Sequence, residues 1–272
     1  VITDVGLYPN LSRSSYEQID AINVSRLVHF ERSAAHAHEN MVHPKAPTKA
    51  MIFGTRAHAL ILEPDRFDTA YVVPPKVDRR TTEGKRTWAE WEAAHPDAEC
   101  VDADDYAALR GMQAAVWADP FGAELLRGGL NEVCLVWRDE DTGLLCKALL
   151  DHLGTFDKWS VIVDLKTMDD VRRRNFTSSV KKLFYGARAA FYLDGCNALA
   201  PRERRFVWLA VETEPPHAVK PYEASPEALE AGRSKYRRWL RRYAEAKDAG
   251  AWPAYEPGIE ELTAEDCEWR SE

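Results

Sequence analysis

Asp151, Asp164 and Lys166 are the residues of this sequence whose types and spacing point most directly to chemistry. The stretch KWSVIVDLKT (158–167) reads as a buried strand, with Val161, Ile162 and Val163 leading into Asp164, Leu165 and Lys166. Side chains alternate along a strand, so Asp164 and Lys166 share one face and Leu165 takes the other. The preceding strand-like run, GLLCKALLDHLG (143–154), carries Asp151. If the two runs pair, Asp151 and Asp164 meet near one end of a sheet. Two carboxylates that close repel each other unless a cation lies between them. Hard oxygen ligands with room left for water are what Mg2+ or Mn2+ takes, and the backbone carbonyl of Leu165 is a further candidate ligand. A lysine beside such a site can orient water or offset negative charge as it develops. The alternative is an ordinary ion pair at a strand end, since a D-x-K triplet is frequent by chance.

Other candidates surround this core. Glu132 lies on an earlier strand-like run. Gly54 and His58 fall on one helical face at i, i+4, where the glycine would leave space for a backbone or a nucleotide. A histidine on an apolar helix is otherwise a packed core residue. Lys181, Tyr185, Arg188 and Tyr192 form a stripe at i, i+4, i+7 and i+11 on one expected helix. Basic and aromatic groups interleaved in this way can hold phosphates and stack on sugar or base; the alternative is a mixed amphipathic face. The charge runs VRRRN (171–175) and KVDRRTTEGKR (76–86) are weaker candidates of the same kind. So is the cluster Lys235, Arg237, Arg238, Arg241 and Arg242, which could face DNA or a neighbouring subunit's acids. Such runs are usually solvated.

The elements that must position these residues fall into three parts. Residues 1–127 read as mainly helical, 128–215 as a catalytic β-meander followed by helix and strand, and 216–272 as a C-terminal helix and tail, all within one domain. Helices are expected within 12–64, with Thr48 as a cap and Pro64 as a stop, and again over 102–127. The Pro- and charge-rich residues 71–100 read as a surface loop. Strands are expected at 131–139, 143–154, 158–167 and 204–213, the first two joined by a hairpin containing Gly143. The run SSVKKLFYGARAAFYLDGCNAL reads as one helix, and a last helix has Ser225 as cap, Pro226 in its first turn and Gly250 at its end. The sum is an α/β fold with a mixed sheet flanked by helices.

Composition narrows the field. At 272 residues, 45% hydrophobic and 29% charged, the chain can bury a large core. A formal net charge of −8 requires any contact with a polyanion to come from a local basic patch. The five cysteines are scattered without a C-x-x-C pair, which argues against a zinc ribbon and suits a reducing compartment. No run of about 18 apolar residues is present, so the expectation is a cytoplasmic protein with no membrane partner.

Asp151 with Asp164-Leu165-Lys166 resembles the core of the PD-(D/E)XK (restriction-endonuclease-like) nucleases. More narrowly, the chain resembles the RecE-type, exonuclease VIII-like exonucleases, many of them phage or prophage encoded. INVSRLVHFERSAAH (22–36) is similar to the family's S-x-S-x-L…SPAH segment, and FGTRAHALILEPDRF (53–67) to its G-T-x-x-H-x-x-x-L-E-P helix. EVCLVWRDEDTGLLCKALLD (132–151), VDLKT and YGARAAFYLDG (185–195) complete the series over about residues 10–215. The resemblance implies that Asp151, Asp164 and His58 serve the metal, that Lys166 is the catalytic lysine, and that Glu132 sits near the site. Arg188, Tyr192, Tyr185, Lys181, Arg56 and Ser25 become candidate DNA contacts. Three positions depart from the pattern: Leu150 precedes Asp151 in place of proline, Leu149 stands where arginine is common, and Arg188 replaces the glutamine of Q-x-x-x-Y. The resemblance further implies a Mg2+- or Mn2+-dependent exonuclease acting 5′→3′ from double-stranded DNA ends and leaving 3′ overhangs for recombination. It implies a homo-oligomeric ring, trimer or tetramer, working with a single-strand annealing recombinase. A nuclease of other polarity, an endonuclease, or a non-catalytic DNA-binding scaffold on the same fold are the alternatives.

Overall fold

The computed structural model describes residues 2, 4–255 and 257–267. A short strand β1 (Gly6–Tyr8) opens the chain, followed by α1 (Arg13–Glu17), α2 (Val24–Leu27), a 3-10 turn (Val28–Glu31), α3 (Ala34–Val42), α4 (Lys49–Leu62) and α5 (Pro64–Ala70). Next come β2 (Tyr71–Val72), α6 (Thr82–Ala94), β3 (Glu99–Cys100), α7 (Ala103–Ala118) and α8 (Pro120–Leu125). The meander β4 (Leu130–Arg138), β5 (Leu145–Phe156) and β6 (Trp159–Met168) leads to α9 (Arg173–Lys182) and α10 (Tyr185–Leu199). The chain then forms β7 (Arg204–Glu212), β8 (Val219–Glu223), α11 (Pro226–Ala249) and a terminal turn α12 (Ala264–Cys267).

Six strands form one mixed sheet in the order β1-β4-β5-β6-β7-β8. Only β6 and β7 run parallel, because α9 and α10 carry the chain across between them. This is the expected α/β architecture. One face of the sheet packs through Val133, Leu135, Ala148, Leu150, Ile162 and Phe206 against α10, α11, α2 and α3. The other packs through Val161, Val163, Leu165, Val207 and Leu209 against α4, α7 and α8. No helix among the described residues is long and apolar enough to cross a membrane.

Local signals explain most helix ends. The Thr48 hydroxyl accepts the Met51 N–H at the start of α4, and Ser225 accepts from Ala228 ahead of Pro226 at the start of α11. Gly250 ends α11 in the left-handed region. Gly186 and Gly232 let α10 and α11 touch backbone to backbone: a Cβ at Gly232 would lie 2.1 Å from the Gly186 carbonyl oxygen.

Four expectations need correction. Residues 71–100 are not loop throughout, because α6 forms there, capped by Thr81 and with Arg79 stacked 4.1 Å from the Trp88 ring centre. The 102–127 helix breaks at Asp119–Pro120, where proline starts α8 and Asp119 caps it. The expected helix after β6 is two helices, because Phe184 adopts a left-handed conformation (φ 54°) between α9 and α10. The stripe from Lys181 to Tyr192 is therefore broken, and Lys181 belongs to a different helix from Tyr185, Arg188 and Tyr192. Finally, the α11 cations are largely consumed inside the chain. Lys235 and Arg238 pair with Glu31, Arg237 with Asp139 and Asp141, and Arg242 donates to the Phe30 carbonyl.

Lys147 is an unusual buried cation, 1% exposed. Its ammonium donates to the carbonyls of Tyr16 and Ile19 at 2.8 Å and of Glu17 at 3.3 Å, and lies 4.7 Å from the Tyr16 ring centre. Burial pushes its pKa down to about 8. These bonds tie the end of α1 to β5.

Candidate active site

Strand register brings the acids together. Asn131 pairs with His152 and Val133 with Leu150, so Glu132 stands opposite Asp151. His152 pairs with Val163, so Asp151 stands opposite Asp164 on the next strand. Three carboxylates thus lie abreast on β4, β5 and β6. The ladder is interrupted at the same level. Glu132 has a left-handed φ of 47°, a strained conformation for a residue with a Cβ. Regular β5–β6 pairing stops at His152–Val163, and the Leu165 N–H donates instead to Asp151 Oδ2 at 2.7 Å.

His58 comes from α4. Asn131 Nδ2 donates to the Leu62 carbonyl at the end of that helix at 2.6 Å, and Asn131 Oδ1 lies 2.6 Å from His152 Nδ1. Gly54 lies against β6: a Cβ there would come 3.3 Å from Thr167 Oγ1. The space beside His58 that the sequence assigns to a backbone or nucleotide is thus taken by the sheet on the Gly54 side. With α4 so placed, His58 Nδ1 is 3.4 Å from Asp151 Oδ1.

His58, Glu132 and Asp151 form one group whose ligand atoms all lie within 4.8 Å of one another. Burial pushes the His58 pKa down, but the Asp151 carboxylate outweighs it and holds the imidazole above its ordinary value. Burial likewise opposes the Asp151 charge, yet His58, Lys166 and the Leu165 N–H hold that carboxyl down at about 2. Burial, reinforced by Asp151, pushes Glu132 up to about 7.

Asp164 lies outside that group. It is 3% exposed, and its Oδ2 is ion-paired with the Lys166 ammonium. Lys166 also donates to the Leu165 carbonyl at 3.2 Å and sits 5.0 Å from the Tyr185 ring centre. The ammonium therefore rests on the carboxylate and the carbonyl that the sequence offers to a metal. The Asp151–Leu165 bond joins this second group to the first.

Among the expected DNA contacts, Tyr185 lies against the Lys166 ammonium, and Arg188 and Tyr192 are within electrostatic reach of Asp164 and Asp151. Burial works against the Arg188 charge, but Tyr192, Asp164, Tyr185 and Asp151 outweigh it and raise its pKa. Arg188 makes no ion pair within 4.0 Å among the described residues. Arg56 is instead engaged with Glu99, Asp105 and the Cys100 carbonyl, which fixes α4 to β3 and α7. Ser25 is exposed on α2, and Lys181 is exposed on α9. Asn131 and His152, the bracing pair beside the acids, carried no recognisable motif. Their only signal is adjacency to Glu132 and Asp151.

Residues 23–268 match the family described as a PDDEXK-like domain of unknown function (DUF3799). The chain belongs to this family. As a PDDEXK-like domain it is also similar in fold to a crystal structure from Eubacterium rectale of a protein provisionally assigned as an exonuclease. That match has a TM-score of 0.61 at 13% identity and covers 95% of this chain and 92% of the other. The crystal structure of SSO0001 aligns at a TM-score of 0.35 and 11% identity, over 85% of each chain. No curated protein sequence matches the chain.

PD-(D/E)XK nucleases generally use divalent metals, and the donors of this PDDEXK-like domain fit one. Two mutually repelling carboxylates and an imidazole converge where the sheet ladder is interrupted. His58, Glu132 and Asp151 are the groups that would hold it, whereas Asp164 and the Leu165 carbonyl, expected to join them, carry the Lys166 ammonium.

The raised Glu132 pKa has a stability consequence. The folded state binds this proton more tightly than the unfolded state, so stability falls as pH rises from 4.5 through about 7. Glu132→Gln is expected to stabilise the metal-free protein at pH 8 by about 2 kcal/mol. Below pH 4.5 the two proteins should melt alike. Thermal melts in chelator across this range check it, and a variant less stable at pH 8 would contradict the assignment.

Proposed function

We propose that this chain is a metal-dependent DNA nuclease, and specifically a RecE-type exonuclease that degrades linear double-stranded DNA 5′→3′ with Mg2+ or Mn2+. The observation carrying this reading is the row Glu132–Asp151–Asp164 with Lys166 beside it and His58 above it. A bound divalent cation would supply the positive charge that draws in a scissile phosphate and favours ionisation of the attacking water. The protein groups do the rest. Asp151 is kept ionised by His58 and by the Leu165 N–H, so its charge persists at neutral pH. Lys166 is placed to offset negative charge gathering on the phosphoryl oxygens. Arg188, free of ion pairs within 4.0 Å among the described residues, is placed to hold a neighbouring phosphate.

The 3′-overhang product, action in recombination with a single-strand annealing partner, a trimeric or tetrameric ring, phage origin and a cytoplasmic location belong to the same reading and rest on the sequence resemblance. Digestion of linear duplex labelled in parallel at its 5′ or 3′ ends, with Mg2+ and with chelator, tests the core of it. Metal-dependent early release of the 5′ label is expected. Early release of the 3′ label would reverse the polarity, cutting of closed circular DNA would make the protein an endonuclease, and absence of cleavage would leave a scaffold.

A further inference from the structure

Helix α9 begins five residues after the strand that carries Lys166 ends, and its sequence is RRNFTSSVKK. It contains four cations and no acid. Arg173, Arg174, Lys181 and Lys182 are all exposed, and none forms an ion pair within 4.0 Å among the described residues. In a protein of net charge −8, four cations on ten residues with no acid among them form a locally basic helix. The α11 cations face Glu31, Asp139 and Asp141, Arg80 pairs with Asp78, Arg86 with Glu90, and Arg172 just before α9 with Asp170.

The orientation of α9 is fixed from beneath. Phe176 is buried, stacked on Tyr222 at 4.3 Å and 6.4 Å from Tyr185. Tyr185 is the ring that carries the Lys166 ammonium at 5.0 Å. One aromatic ring, Tyr185, therefore lies between Phe176 of α9 and Lys166. Arg174, Thr177, Ser178 and Lys181 fall at i, i+3, i+4 and i+7, a single stripe turned away from Phe176. With a rise of about 1.5 Å per residue the stripe is roughly 10 Å long, enough to meet more than one backbone phosphate.

We propose that α9 is the surface that grips the phosphate backbone of duplex DNA beside the scissile bond. The inference rests on the nuclease reading and adds the binding surface to it. It accounts for how an acidic protein holds a polyanion: four cations are concentrated on one acid-free helix close to Lys166.

The test is binding of a short labelled duplex, followed by fluorescence anisotropy in chelator over a range of salt concentrations. The full chain is compared with a variant carrying Arg173→Ala, Arg174→Ala, Lys181→Ala and Lys182→Ala. A control removes the same charge elsewhere through Arg66→Ala, Arg127→Ala, Lys158→Ala and Lys247→Ala, all exposed positions. The α9 variant should lose affinity on the order of 100-fold near 0.1 M salt, and the slope of log affinity against log salt should flatten by about three to four. The control should keep most of both. Equal losses in the two variants would mean that only net charge matters, and an α9 variant with unaltered slope, or a wild type that does not bind duplex, would likewise overturn the proposal. If the wild type binds but cleaves nothing, the nuclease reading falls while the slope comparison still decides the role of α9.

Discussion

Asp151→Asn is expected to lower cleavage of linear duplex by more than about 1,000-fold, on the scale of losing preorganised charge at a reacting centre. The reason is the number of roles this one carboxylate holds. It faces Glu132 on one strand and Asp164 on the other, receives the Leu165 N–H, and raises the His58 pKa against the effect of burial. An asparagine oxygen can still accept the N–H, so the strands should stay in place. The charge that would hold a cation is gone, and Glu132 then titrates nearer an ordinary carboxylate because a main cause of its shift is removed. The check is Mn2+ titration by calorimetry alongside the cleavage assay, with circular dichroism to confirm folding. A variant that retains both Mn2+ affinity and cleavage would refute the assignment. Acid also separates the two proteins. The depressed Asp151 pKa contributes stability that is present above about 3.8 and is lost as pH falls through about 2. The asparagine variant lacks that dependence.

Lys166→Met should act differently on three readouts. Cleavage is expected to fall by about 100- to 1,000-fold, because among the described residues Lys166 alone pairs with Asp164. The metal-free protein should lose about 3–5 kcal/mol, since a buried carboxylate is left without its counter-ion. Asp164 is only 4% exposed as a side chain and Lys166 12%, so solvent offers little compensation. Mn2+ should bind at least as tightly as in the wild type and restore much of the lost stability, because the ammonium no longer covers Asp164 and the Leu165 carbonyl. Melting curves with and without Mn2+ measure the last two effects. Full activity in this variant would remove Lys166 from the mechanism. Unchanged metal-free stability would mean that the Asp164 pair is effectively solvated.

The parts of this molecule written in local patterns could be read from the chain alone. The apolar runs of β4, β5 and β6, the Gly143 hairpin, the caps at Thr48 and Ser225 and the D-x-K triplet all depend on residues close in sequence. What was not legible depends on distant partners. Phe184 has no side-chain reason to adopt a positive φ. It does so where its ring meets Trp239 edge-on at 5.4 Å and Lys235 at 5.3 Å, contacts from a helix some 50 residues on. The α11 cations looked free because Glu31 and Asp139 lie far away in the chain. Helix α6 was hidden by its own composition: among its residues only Gly84 is buried, so it carries no clear apolar stripe. Glu132 could be named as a nearby acid, but its place in one group with His58 and Asp151 follows from strand register, which spacing alone does not fix.

The contact between Gly186 and Gly232 bears on how sharply the site can be tuned. Gly186 immediately follows Tyr185, under the ammonium of Lys166, and lies two residues before Arg188. At that point the two helices meet with no side chains between them, so there is no cushion to absorb a shift. A single methyl added at 232, on the far side of the contact, would be transmitted as a displacement of the rail on which Tyr185 and Arg188 ride. The alignment of those two groups is thus governed from a position that touches neither.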